Sequence, residues 1–174
     1  MKTLQQHLIQ YASYHRDGRN IASHMLGIPT IVVAVAVMLS RATLTLGGSE
    51  WPLSLAFLAG FGAFYLALDV GLGLLMGALL VGVYQAGLWA AAQSTPVWLA
   101  CGVGAFVVGW IVQFIGHAFE GRKPAFVDDL IGLVVGPLFV VVEALFWMGM
   151  LPRLRGQIEA HFADRGEAPA GARA

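Results

Sequence analysis

The chain has 174 residues, 58% hydrophobic and only 11% charged, with a mean hydropathy of +0.74, a balance that excludes an ordinary soluble globular domain. Ten Lys and Arg against ten Asp and Glu leave no net charge, so no basic surface points to nucleic acid. The one cysteine, Cys101, excludes an internal disulfide.

The apolar runs are rich in Leu, Ala, Val and Gly and lack the polar alternation of a membrane β-barrel. They predict an all-α polytopic membrane helical bundle. Leu4 to His15 reads as a short amphipathic helix lying at the membrane interface, too polar for a cleaved signal peptide. Asp17 and Gly18 predict a stop, and Asn20 an N-cap for the next helix. The four spans are expected near Ile21–Ser40, Pro52–Leu68, Val70–Ala92 and Val97–Ile115, with Pro29 inside the first and a turn at Asp69 between the second and third. Glycines such as Gly73 and Gly77 suit close helix packing. A fifth hydrophobic segment, Phe126 to Leu151, holds Gly136 and Pro137 at its middle. It reads either as one crossing or as a Pro-broken pair of half-helices that turns back, and Arg153 and Arg155 favour the return. Residues 1–155 are expected to form one membrane-embedded catalytic domain, and 156–174 a flexible tail.

Two polar patches flank these runs. The first is Tyr11, Tyr14, His15, Asn20 and His24; the second is Trp110, Gln113, His117, Glu120 and Arg122. Imidazoles set beside hydrocarbon are costly unless something binds them. On one continuous helix, at about 100° per residue, His15 and His24 would face opposite sides, so the predicted break between them is what lets both reach one ion. Four crossings then return His117 to the face where His24 begins. Lys2, Arg16, Arg19, Arg122 and Lys123 mark that face as cytoplasmic. Three histidines with Glu120 nearby would suit iron(II), zinc or manganese, and spacing alone does not choose among them. Tyr11, Tyr14, Asn20 and Gln113 read as donors that orient imidazoles, Arg122 or Lys123 as partners for an anionic head group, and His7 and His161 as solvated side chains. Asp69, Glu143 and His161 are further candidates to join the site.

The stretches YASYHRDGRNIASHMLGIPTI and GWIVQFIGHAFEGRKPAFVDDLIGLVVGPLFVVVEALFWMGMLPRLR resemble the Mpo family of membrane 2-hydroxy fatty acid dioxygenases over most of residues 11–155. The resemblance implies a non-haem iron(II) enzyme of fatty acid α-oxidation, with His15, His24 and His117 as metal ligands. The implied reaction uses O2 to shorten a long-chain 2-hydroxy fatty acid by one carbon. Fungal members carry one more residue between the positions matching His117 and Glu120, so Glu120 carries over less cleanly as a ligand. The short chain with its Gly/Ala/Arg-rich end is expected in a bacterial inner membrane. Other readings of the same residues are a lipid-directed hydroxylase or zinc hydrolase, a bis-histidine haem carrier using His24 and His117, and a transporter using Asp69 and Glu143.

Overall fold

The structure, a computed structural model, describes residues 2–122, 124 and 129–166. Lys123, the start of the expected fifth segment and the last residues of the expected tail lie outside the described residues. In chain order the elements are α1 (Leu4–Ala12), α2 (Gly18–Leu39), a two-stranded hairpin of β1 (Thr43–Leu46) and β2 (Ser49–Pro52), α3 (Leu53–Leu68), α4 (Val70–Ala91), α5 (Thr95–Leu99), a π-helical turn (Ala100–Gly104), α6 (Ala105–Glu120), α7 (Ile131–Trp147) and α8 (Pro152–Ala163). This is an all-α membrane protein with little strand. Among the described residues, three stretches are long and apolar enough to cross a bilayer: α2, α4, and the run Thr95–Glu120 made by α5, the π turn and α6. The expected second span, α3, is a shorter apolar helix of 16 residues, about 24 Å long at 1.5 Å per residue.

The chain divides into two compact units: Met1–Ile28 with Ile111–Ala174, and Pro29–Trp110. In the second unit, α3 and α4 form a tight hairpin. Asp69 makes the turn: its backbone is extended, and its Oδ1 accepts from Leu72 N at 2.8 Å, capping α4. Gly73 lets the helices close, since a Cβ there would stand 2.6 Å from the Leu66 Cα. At the end of α2, Ser40 Oγ donates to Ser54 Oγ and Gly87 packs on Ser40 and Ala36. Arg41 donates to the carbonyls of Ala91 and Gln93 and lies over the Trp98 ring, closing the end of α4.

The β-hairpin has no counterpart among the expected elements. Its four-residue strands pair Leu44 with Trp51 and Thr45 with Glu50. Gly47 and Gly48 at φ of 60° and 80° make the two-residue turn. Strands this short offer too few positions for an alternation to show between the long apolar runs on either side.

The first unit holds both ends of the chain. Here α1 packs against α7 and α8. Helix α7 runs unbroken through Pro137, so the break expected at Gly136–Pro137 does not occur there. It falls instead at 148–151, where Gly149 (φ 75°) and Leu151 (φ 56°) turn the chain and α8 leaves at 108° to α7. Arg155 on α8 lines a cavity of about 100 Å³ together with Arg16 and Gly18 beside the start of α2. Residue 156, the expected beginning of a flexible tail, lies inside α8, where Ile158 and Phe162 are buried. Apolar residues spaced Ile158–Phe162 supply one buried helical face, and that outweighs the polar composition of the segment.

The hairpin contact of Gly73 yields a direct test. Gly73→Ala is expected to lower the thermal unfolding midpoint of detergent-purified protein, at a cost of about 1–3 kcal/mol for forcing a methyl into a filled space. Gly77→Ala, whose Cβ would meet nothing within 4 Å, is expected to leave the midpoint unchanged or raise it. Equal midpoints for the two variants would show that the α3–α4 contact is not this close.

Candidate metal centre

The centre is built on the corner between α1 and α2. Helix α1 ends at Ala12, and His15 N still reaches Ala12 O at 3.0 Å in the closing turn. Asp17 then starts α2: its carbonyl accepts from Ile21 N and its Oδ1 from Arg19 N at 2.8 Å. Asp17 is therefore the N-cap, and Asn20, expected in that role, lies inside the first turn. Arg19 also donates through its guanidinium, which holds the Asp17 carboxyl down at about 2.

Sharp reversal at the corner brings His15 back onto His24, and the end of α6 adds His117. All three side chains are buried, with exposures of 0%, 2% and 7%. Their ring centroids lie 4.3, 5.1 and 4.9 Å apart in the pairs His15–His24, His15–His117 and His24–His117. One ligand nitrogen from each falls within 4.8 Å of the others, and among the described residues this is the group so arranged.

The tautomers are set by the helix carbonyls. His15 Nδ1 lies 2.7 Å from Tyr11 O, and His24 Nδ1 lies 2.9 Å from Asn20 O, so each Nδ1–H donates to a carbonyl four residues earlier. Both Nε2 atoms are left as acceptors, and they face one another at 2.9 Å. Two lone pairs so close in a buried site repel unless a cation lies between them. Burial and the neighbouring His24 hold the His15 imidazole well below its ordinary range, in the neutral form that a metal requires. The donor set fits a metal: neutral imidazoles suit iron, zinc, copper and nickel, and two nitrogens each about 2.1 Å from one ion stand about 3 Å apart when they meet it at right angles. His117 Nδ1 has no hydrogen-bond partner among the described residues.

The surroundings hold the rings rather than hydrate them. Tyr11 stacks on His15 at 4.2 Å with planes 6° apart, and Phe139 of α7 backs both rings at 4.8 and 5.7 Å. Gly116, next to His117, lets α6 touch α2, since a Cβ there would stand 2.7 Å from Asn20 Oδ1 and would overlap Ser23 Oγ. Glu120 accepts from the backbone N–H groups of Arg16 and Asp17, both at 2.9 Å, and from Asn20 Nδ2 at 3.0 Å. Gln113, one turn before His117, is buried, and its Oε1 has no partner among the described residues.

Other candidates fall elsewhere. Tyr14 contributes its carbonyl, 3.4 Å from Asn20 Nδ2. Arg122 is exposed and donates to Ser13 O at 2.8 Å, tying the end of α6 to the corner. His161 stands against Phe162 on α8, and Asp69 caps α4. His7, expected in solvent, is buried. It turns to the α7 side of α1, against Ile131 and Val135, and burial lowers its pKa. Four contributors carried no advance signal of their role: Phe139, Ser23, and the backbone amides of Arg16 and Asp17. A glycine directly before His117 was the visible trace of the close helix contact.

Fold and site together define a helical membrane protein with a buried three-histidine cluster shaped for a metal ion. The chain belongs to the 2-hydroxy-palmitic acid dioxygenase Mpo1-like family, which it matches over residues 1–148. It is 35% identical over 151 residues to the 2-hydroxy-palmitic acid dioxygenase MPO1 of Saccharomyces cerevisiae, covering 86% of this chain and 83% of that protein. No solved structure matches it.

Removing a ring should empty the centre. His15→Ala, His24→Ala and His117→Ala are each expected to bind iron(II) far more weakly than the 10- to 100-fold loss typical of an outer-sphere change, as read by metal analysis after dialysis. Gly116→Ala is expected to do so indirectly, by pushing α6 off α2. Full occupancy in any histidine variant would remove that residue from the centre.

Proposed function

We propose that the chain is a non-haem iron(II) dioxygenase that converts long-chain 2-hydroxy fatty acids to the acid one carbon shorter. The observation that carries this reading is the convergence of three buried imidazoles on one point at the ends of apolar helices long enough to cross a membrane. The family and the name of the yeast relative support the substrate class.

The proposed reaction balances with O2 as the sole oxidant. The C1–C2 bond breaks, C2 rises from alcohol to carboxyl, C1 leaves as carbon dioxide, and O2 accepts the four electrons with release of one water. No 2-oxoglutarate or haem is called for. Iron(II), held by His15, His24 and His117, would supply a redox-active Lewis acid for the reaction with O2.

The chain's own residues do the rest. Tyr11 O and Asn20 O keep the Nδ1 protons of His15 and His24 in place, so the Nε2 lone pairs stay aimed at one point. Tyr11 and Phe139 wall the rings and exclude water. The apolar helices offer the acyl tail a hydrocarbon surface, while the carboxylate and 2-hydroxyl reach the interface where the corner lies. With Arg16, Arg19 and Arg122 gathered at this corner, the site faces the cytoplasm, and in a bacterium that membrane is the inner one. A bis-histidine haem carrier is disfavoured, since the ring of His15 lies within about 5 Å of both His24 and His117, where a macrocycle would have to pass.

Product analysis tests the proposal. Purified protein with iron(II) and air should convert a long-chain 2-hydroxy acid to the shortened acid, and argon or a chelator should abolish turnover. The unsubstituted fatty acid should be a poor substrate, because its C2 lacks the hydroxyl from which the single O2 completes the oxidation to carboxyl. Short 2-hydroxy acids should also be poor, because each buried methylene of the tail contributes about 0.8 kcal/mol. Turnover that survives both anaerobiosis and chelation would defeat the reading.

A further inference from the structure

Glu120 stands three residues beyond His117, close enough in sequence to pass for a fourth ligand. Its oxygens are already committed. Oε2 accepts from Arg16 N at 2.9 Å, Asp17 N at 2.9 Å and Asn20 Nδ2 at 3.0 Å, and Oε1 lies 3.1 Å from Arg16 N. Its donors come from the chain that immediately succeeds His15 and from the first turn of α2, which carries His24. The carboxylate sits on N–H groups at the start of a helix, where an anion is favoured. Asn20 in turn gives its carbonyl to His24 Nδ1 and its amide to Glu120, so one residue is linked to both.

The geometry points to Glu120 as a positioning residue and not a metal ligand: its carboxylate clips the end of α6, bearing His117, onto the corner bearing His15. Without the clip, Arg122 to Ser13 O is a remaining polar tie between the same segments, and it is exposed. Both ties involve a charged group, but the Glu120 carboxylate takes several bonds, two of its donors being amides of the buried residues Arg16 and Asp17, whereas the single Arg122 bond is exposed to competing water. Loss of Glu120 therefore lets two ligands drift apart while leaving the ligand set intact. This inference rests on the proposed metal-binding role of the histidines.

The test uses the full-length protein in detergent, stripped of metal and titrated with cobalt(II) as a spectroscopic probe. Glu120→Ala is expected to weaken cobalt binding by about 10- to 100-fold, with the d–d absorption at saturation unchanged from the parent. Glu120→Gln keeps an acceptor where Oε2 sits and is expected to restore most of the affinity. Asn20→Ala, which removes the side-chain amide bonded to Glu120 and keeps the backbone carbonyl on His24 Nδ1, is expected to weaken binding in the same direction, and to add little in Glu120→Ala because the two share one network. A changed cobalt spectrum in Glu120→Gln would make Glu120 a ligand and overturn the inference. Unchanged affinity in Glu120→Ala or Asn20→Ala would overturn it as well. A readout without metal separates the two claims: amide hydrogen exchange at Arg16 and Asp17 should quicken at least about tenfold in Glu120→Ala, as expected when a hydrogen bond worth about 1.5–3 kcal/mol is lost. If the parent binds no cobalt yet the amides quicken, the metal reading fails and the clip stands; if the amides do not respond, the clip fails.

Discussion

Two imidazole nitrogens facing each other at 2.9 Å, each with its proton committed elsewhere, are the constraint on which the rest of the molecule depends. In water such a contact would relax by turning a ring or taking up a proton. Here neither is cheap. Turning His15 would break its bond to Tyr11 O and its stack on the Tyr11 ring, and charging it in a buried site carries a desolvation cost. A cation between the rings removes the repulsion and uses both lone pairs, so the protein stores its affinity in the arrangement of neutral donors.

Each neighbouring feature serves that arrangement. The corner exists because α1 ends at Ala12 and Asp17 restarts the helix, which turns His15 back onto His24. Gly116 removes the side chain that would keep α6 from α2, and Glu120 spans from the same helix end to the amides of the corner. Phe139 brings α7 against the rings, so a helix near the end of the chain becomes a wall of the site. For an amphipathic substrate the position is apt: the chemistry lies at the ends of apolar helices, where a polar head and a hydrocarbon tail can both be satisfied.

Much of this was legible in the residues. The spans show because runs of Leu, Val and Ala admit few other structures, and α2 and α4 fall within a few residues of their expected places. His15, His24 and His117 stood out because buried imidazoles need a reason, and counting crossings brought them to one face. Features set by tertiary contact were less visible. Asn20 looks like a cap in isolation, yet Asp17 takes that place by accepting from Arg19 N, and the Asn20 amide reaches across to Glu120 instead. Pro137 looks like a break, yet α7 passes through it and bends where Gly149 and Leu151 adopt positive φ. His7 and the face of α8 with Ile158 and Phe162 look solvated until α1, α7 and α8 are seen to pack. Local propensity is a weak prior wherever a distant partner supplies the hydrogen bond or the apolar surface.

Iron-edge X-ray absorption on the iron(II)-loaded protein tests the central claim most directly, since it reports the atoms around the metal without recourse to activity. The predicted result is a nitrogen- and oxygen-ligated iron with outer-shell scattering from three imidazoles, reduced to two when any one of His15, His24 or His117 is replaced. A spectrum without imidazole scattering, or one that keeps three imidazoles in those variants, would contradict it.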